Sequence, residues 1–219
     1  MKIKSLAPQD SIGAVLAQTY NLPGKIISKG TFVTNEIVAY FKTGNVKTIL
    51  CAVPEEGDIH EDEAAEAISS AIDKNHIYAD KASTGRVNFK SQSLCLVRYD
   101  RDLIKEVNLV DESIAFSIVE HNQLLAEGDL IATLKIIPFF MQKKYVDRVI
   151  KILAKAELFK IHSLKKKEVT LIQTCFEWQK KSIFTATSNV TKARLEALGC
   201  SLKKEKLINH DYDTLRAII

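Results

Sequence analysis

The densest polar feature of the chain is a run of carboxylates at Glu55, Glu56, Asp58, Glu61, Asp62, Glu63 and Glu66. Hard cations take carboxylate oxygens, so Asp58, Glu61 and Asp62 are candidate ligands for Mg2+. The same residues suit the first turn of a helix, where negative side chains oppose the positive end of the helix dipole. A zinc-protease motif is excluded, because His60-Glu61 needs a second His at position 64 and that position is Ala. Thr84-Gly85-Arg86-Val87-Asn88 joins a guanidinium fork to turn amides, which together can hold an anion; a plain surface turn is the alternative. Asn108-Leu109-Val110-Asp111-Glu112 offers either paired carboxylates or the polar edge of a turn. Lys135 interrupts an apolar run, either as a buried cation that meets an anion or as the solvent-facing member of an alternating strand. Neither Gly-x-x-x-x-Gly-Lys-[Ser/Thr] nor Gly-x-Gly-x-x-Gly occurs, and Gly-x-Ser-x-Gly is also missing. Cys51, Cys95, Cys175 and Cys200 lie far apart beside apolar residues, a pattern of reduced thiols rather than a zinc site.

The elements that must position these residues follow from periodicity and punctuation. Alternation predicts a strand over Ser11 to Leu22, a turn at Pro23-Gly24 and a short strand at Lys25-Ile26-Ile27. Thr34 is placed to cap a helix carrying Ile37, Val38 and Phe41, with Gly44 at its end. A buried strand follows over Val46 to Val53, then a helix starting near Asp58 or His60 and running through Ala64, Ile68 and Ile72. Strands are predicted at Leu94 to Val97, Ile114 to Val119 and Leu130 to Ile137, with a helix opened by Asp100 between the first two. Lys143 to Leu158 has the apolar stripe of an amphipathic helix. Lys165-Lys166-Lys167-Glu168 then breaks the pattern. Beyond it come a strand over Val169 to Thr174, a helix over Asn189 to Leu198, a strand over Cys200 to Leu207 and a helix opened by Asp211. The expected fold is α/β: a mixed α+β region over residues 1–140, a connecting helix and basic linker over 141–167, and the first β-α-β-α of a parallel-sheet domain over 168–219. Two strands and two helices leave much of a parallel unit uncovered, so a third strand is the natural expectation and the last domain reads as cut short.

Bulk properties narrow the function classes. The 219 residues have the apolar and charged content of a globular protein, which excludes disorder and collagen as overall descriptions. No apolar run approaches the ~18 residues of a membrane-spanning helix, and no secretory leader is evident, so a cytoplasmic protein is expected. Charge is divided: residues 1–134 sum to −6 and residues 135–219 to +10. That division admits pairing of acidic and basic regions between protomers, in a homo-oligomeric scaffold or assembly module. The lysines of the basic part are not interleaved with aromatics, so they read as solvated faces rather than a nucleic-acid surface.

The order of four segments adds a resemblance. Gly57-Asp58-Ile59-His60-Glu61-Asp62-Glu63-Ala64-Ala65, Thr84-Gly85-Arg86-Val87-Asn88, Asn108-Leu109-Val110-Asp111-Glu112 and Ala132-Thr133-Leu134-Lys135-Ile136-Ile137-Pro138-Phe139 together resemble the N-terminal part of bacterial molybdopterin-binding proteins, relatives of the molybdopterin molybdenumtransferases. Residues 168–219 look like the start of the molybdopterin-binding α/β domain of that pathway. The resemblance implies a role in molybdenum cofactor biosynthesis or handling and a ligand that is molybdopterin or the molybdenum cofactor. Thr174, Glu177, Ser188 and Asn189 would supply one side of the site, with the pterin phosphate at a helix start near Ser188. Arg86 and Asn88 would come from the other region or from another protomer. The family's first loop reads Thr-Gly-Asp-Glu-Leu; here it is Thr174-Cys175-Phe176-Glu177-Trp178, so the metal-associated Asp is replaced by Phe176. The family's phosphate-holding glycine-rich loop would follow the next strand, so this piece is expected to bind incompletely and to lack transferase activity.

Overall fold

The computed structural model describes residues 1–219. Residues 1–53 form a small body of their own. Its elements are β1 (Lys2–Leu6), a short 3-10 turn (Pro8–Ser11), β2 (Val15–Leu16), β3 (Tyr20–Leu22), β4 (Lys25–Ile27), α1 (Asn35–Thr43) and β5 (Ile49–Val53). β5 is central, antiparallel to β1 and β2, and β3 and β4 form a hairpin. The single strand predicted over Ser11 to Leu22 is instead two short ones. Pro8 opens the 3-10 turn, the Ser11 hydroxyl donates to Pro8 O at 2.7 Å, and Gly13 turns the chain at φ +86°. Thr34 caps α1 by accepting from Ile37 N, as its position in the sequence implied. Gly44 ends the helix with an ordinary φ of −80°, and a Cβ there would press on the Leu22 side chain at 3.0 Å. Leu16, Ile27, Val33, Val38, Phe41 and Ile49 fill this first core.

The second body is larger. It contains β6 (Asp58–His60), α2 (Glu61–Ser70), β7 (Ile77–Ala79), β8 (Arg86–Ser91), β9 (Cys95–Tyr99), α3 (Arg101–Asn108), β10 (Ile114–Ile118), β11 (Gln123–Leu125), β12 (Leu130–Ile136), β13 (Phe140–Gln142), α4 (Lys143–Leu153) and β14 (Phe159–Ser163). A four-stranded sheet runs β10-β12-β8-β7, a three-stranded one β11-β9-β14, and β13 pairs with β6; every pair is antiparallel. Helices α2, α3 and α4 cover these sheets with single apolar faces: Ala64, Ala65 and Ile68; Leu103 and Val107; Val146, Val149, Ile152 and Leu153. These residues join Val87, Phe89, Ile131, Leu134 and Ile136 in one core.

Residues 1–140 contribute to two main apolar clusters, and a small third one joins Val15 and Ala52 to Phe140. The stretch 141–167, expected as a connector, belongs to the second body through Ser163, because α4 fills its core and β14 pairs with β9. The helix predicted through Leu158 stops at Leu153, and Leu158 is buried in the turn before β14.

After Leu164 come β15 (Glu168–Cys175), α5 (Lys181–Ala197), β16 (Ser201–Asn209) and α6 (Tyr212–Arg216). β15 and β16 pair in parallel across α5, Glu168 against Ser201 through Cys175 against Asn209. The molecule is thus mixed α/β with mainly antiparallel sheets, and its parallel component is two strands wide. In this segment Ser188 is buried, whereas Ile183, Val190, Leu198 and Leu207 are exposed; no fully buried apolar side chain lies beyond Phe159.

Candidate functional site

Three of the four segments carrying the resemblance, those around Glu61, Gly85 and Lys135, converge on one polar hub. On β12, Leu134 and Ile136 point into the core, which turns Lys135 to the opposite face. That face is covered by the start of α2 and by the turn before β8. Lys135 Nζ donates to Glu61 Oε2 at 3.1 Å and to Thr84 O. Glu61 is 5% exposed, so the pair is desolvated on its acidic side. Gly85 N–H donates to Asp62 Oδ1 at 2.6 Å, and Gly85 O accepts from Ile136 N at 2.7 Å. Thr84 and Gly85 lie at φ +50° and +70°, and a Cβ on Gly85 would approach Glu61 Oε2 and Ile136 O to 2.5 Å. Asn88 is held between Thr133 and Asp80: it accepts from Thr133 Oγ1 at 2.9 Å and donates to Asp80 Oδ2 at 3.3 Å. Lys90 also pairs with Asp80, and its ammonium holds the Asp80 carboxyl below the ordinary carboxylate range, with Asn88 contributing. Arg86 is exposed at the rim.

The three carboxylates of the cation reading have separate partners. Asp58 faces the Met1 amine at 2.7 Å, Glu61 faces Lys135 and Asp62 faces Gly85 N–H. Each carboxylate has a separate partner, and no group of three or more His, Cys, Asp or Glu side chains is placed to hold a metal ion. His60, not Asp58, caps α2, accepting at Nδ1 from Asp62 N. Asn108 and Asp111 brace the loop between α3 and β10: Asn108 exchanges two hydrogen bonds with the Phe116 backbone, and Asp111 accepts from Ser113 N. Beside the hub lies a cleft of about 490 Å3, lined by Lys29, Thr84, Lys135, Ile137 and Phe139 among others.

A second constellation sits at the carboxyl ends of β15 and β16, where open parallel sheets place their ligands. Thr174 Oγ1 and His210 Nδ1 are 2.8 Å apart. The His210 ring lies 4.4 Å from Phe176, and Phe176 stacks on Trp178 at 5.8 Å with 8° between planes. Trp178 is 79% exposed. Gln179 closes this turn: its Oε1 accepts from Phe176 N at 2.8 Å, and its own N–H donates to Phe176 O. The turn delivers the chain to α5 through Lys180 and Lys181, with no side-chain cap on the first amides. Asp211 caps α6, and the Thr214 N–H holds its carboxyl below the usual range.

Of the sequence-predicted ligand residues, Thr174 lies in this constellation, Glu177 is exposed in the adjoining turn, and Ser188 and Asn189 lie elsewhere. α5 begins at Lys181, eight residues before the predicted start, so Ser188 and Asn189 are mid-helix with their amides in the helical ladder. Ser188 instead faces the sheet, where it binds Gln173 Nε2 at 3.0 Å and the Glu205 carboxylate. Asn189 is exposed. Arg86 and Asn88 belong to the hub in the other body. Sequence reasoning did not single out Phe176, Trp178 and His210, which the structure brings together beside Thr174; the usable signal was an aromatic pair directly after a strand that heads a β-α-β unit. No family model matches the chain, and neither a curated protein nor a solved structure matches it.

Proposed function

We propose that the chain binds a flat, phosphate-bearing heterocycle of the molybdopterin class at the carboxyl edge of β15 and β16, as part of molybdenum cofactor handling. The carrying observation is the Phe176–Trp178 stack, which offers a planar apolar face beside His210. Conjugated rings gain from such offset stacking. Lys180, Lys181 and the free amides at the start of α5 supply positive potential for a phosphate. The order of the four segments described above supports the choice of pterin over other planar ligands. Molybdopterin would supply the dithiolene chemistry; the residues here stack on its ring and orient its phosphate. No catalytic step is assigned, and the Mg2+ reading is not carried forward, because its three carboxylates are committed elsewhere.

Trp178 is the only tryptophan in the chain, so its fluorescence reports directly on this site. Titration with molybdopterin, or with a stable pterin monophosphate, is expected to quench it saturably. Phe176→Ala and His210→Ala should weaken binding about tenfold, the equivalent of roughly 1.4 kcal/mol. Absence of both saturable quenching and calorimetric heat overturns the reading.

The charge division supports a second reading, a non-catalytic assembly module. Its association should fall with salt, and a monomer insensitive to ionic strength counts against it.

A further inference from the structure

β15 and β16 are each other's only partners, and each has one open edge. Parallel strands are ordinarily covered on both faces, and a two-stranded sheet is marginal by itself. The two open edges differ in chemistry. β16 carries Lys203, Lys204 and Lys206, all exposed, and long lysines on an edge oppose further pairing. β15 carries a single charge, Glu168, which is already paired with Lys203. From Val169 to Thr174 it reads Val-Thr-Leu-Ile-Gln-Thr, uncharged and rich in β-formers.

We infer that the β15 edge is an interface with a second copy of this chain, the two β15 strands pairing antiparallel about a two-fold axis. The resulting sheet has the order β16-β15-β15-β16. Self-complementarity of charge selects this occupant. With the axis at Ile172, Leu171 faces Gln173 of the partner subunit, Thr170 faces Thr174 of the partner subunit, and Val169 faces Cys175 of the partner subunit. No like charges meet. The same operation on β16 sets Lys against Lys: about Glu205 it opposes Lys204 to Lys206 of the partner subunit, and about the neighbouring position it opposes Lys204 to Lys204 of the partner subunit. Like charges directly opposite destabilise a ladder. Pairing through β15 also places the two lysine edges at the outer rims, about 14 Å apart at the usual strand spacing. An isologous contact of this kind closes on itself and leaves no edge of β15 to propagate. The inference is independent of the ligand reading, because β15 pairs along its edge while the aromatic stack lies beyond its end.

The test is the mass of the full chain in solution. The expected result is twice 24.5 kDa at high concentration. Thr170 is exposed, so Thr170→Lys should leave the fold intact while weakening the dimer at least tenfold. Lys204→Thr, on the opposite edge, should leave the dimer unchanged. Val169→Cys should form an intersubunit disulfide with Cys175 of the partner subunit under mild oxidation, on a background lacking Cys200. A monomer at every concentration overturns the proposal. So does a dimer that ignores Thr170→Lys, or one that fails to form the disulfide. Amide protection of β15 in a monomer would show that another segment covers the edge, which also overturns it.

Discussion

Gly85 is the residue on which the polar hub depends. Its positive φ and its contact with Glu61 and Ile136 leave no room for a side chain. Gly85→Ala is expected to destabilise the second body by about 3 kcal/mol, combining left-handed strain with a steric clash; chemical denaturation checks this, and a loss under 1 kcal/mol would refute the crowding. Lys135 and Glu61 form the second dependence. Removing one partner of a desolvated pair leaves the other charge uncompensated, which costs more than the pair itself contributes. Lys135→Met should therefore cost about 2–3 kcal/mol, and adding Glu61→Leu should restore most of it. A double mutant no more stable than the single one would count against that account. Asp80 gives a pH effect of known sign. Its folded carboxyl titrates below its unfolded value because of Lys90, so the stabilisation is present above the usual carboxylate range and is lost as pH falls through the folded value. The pair is partly exposed, at 37% and 30%, so the effect is no more than about 1 kcal/mol. Asp80→Asn should flatten the acid limb of a melting-temperature profile by that amount; an unchanged limb would exclude the pair as its source.

Elements read well wherever local chemistry decided them. Thr34 and Asp100 were legible as caps, and both serve: Asp100 Oδ1 accepts from Asp102 N and Leu103 N at 3.0 Å each. Asp100→Ala is predicted to cost about 1 kcal/mol, measurable by thermal or denaturant unfolding, whereas Asp100→Asn should cost much less. The strands at Ile114–Ile118 and Leu130–Ile136 were also legible, since the first alternates buried with outward-facing side chains and the second does so from Ala132 onward. α5 was misread at its start. Lys181 to Ser188 has little apolar periodicity because the helix lies on a narrow sheet and buries almost nothing beyond Ser188. A helix without a covered face gives no 3.6-residue signal, and its Thr and Ser residues favour other readings. β6 was absorbed into the predicted helix because Asp58 and His60 look like first-turn residues. Their strand state depends on pairing with β13, which is some 80 positions distant in the chain.

At the scale of the molecule, stability is uneven. Residues 58–163 share one large apolar core, whereas residues 168–219 bury no apolar side chain completely. Lys165, Lys166 and Lys167 are exposed between them. Trypsin is expected to cut there first and leave a folded N-terminal fragment, detectable by mass spectrometry; first cuts within the β8–β12 sheet would contradict this ordering. The sequence by itself determined the caps, the alternating strands, the β-α-β order of the last segment and the division of charge. All of these depend on neighbours within a few residues, or on composition alone. The partners of the candidate residues were decided only in three dimensions. Lys135 meets Glu61 across 74 positions, and Asp62 meets Gly85 across 23. A carboxylate in sequence has no stated partner, so Asp58, Glu61 and Asp62 could be read as cation ligands or, more readily, as the first turn of a helix. Tertiary packing gave each its own partner: an amine, an ammonium and an amide reached them individually. It also brought Thr174, Phe176 and His210 together, since parallel pairing aligns the ends of two strands that a helix keeps apart in the chain.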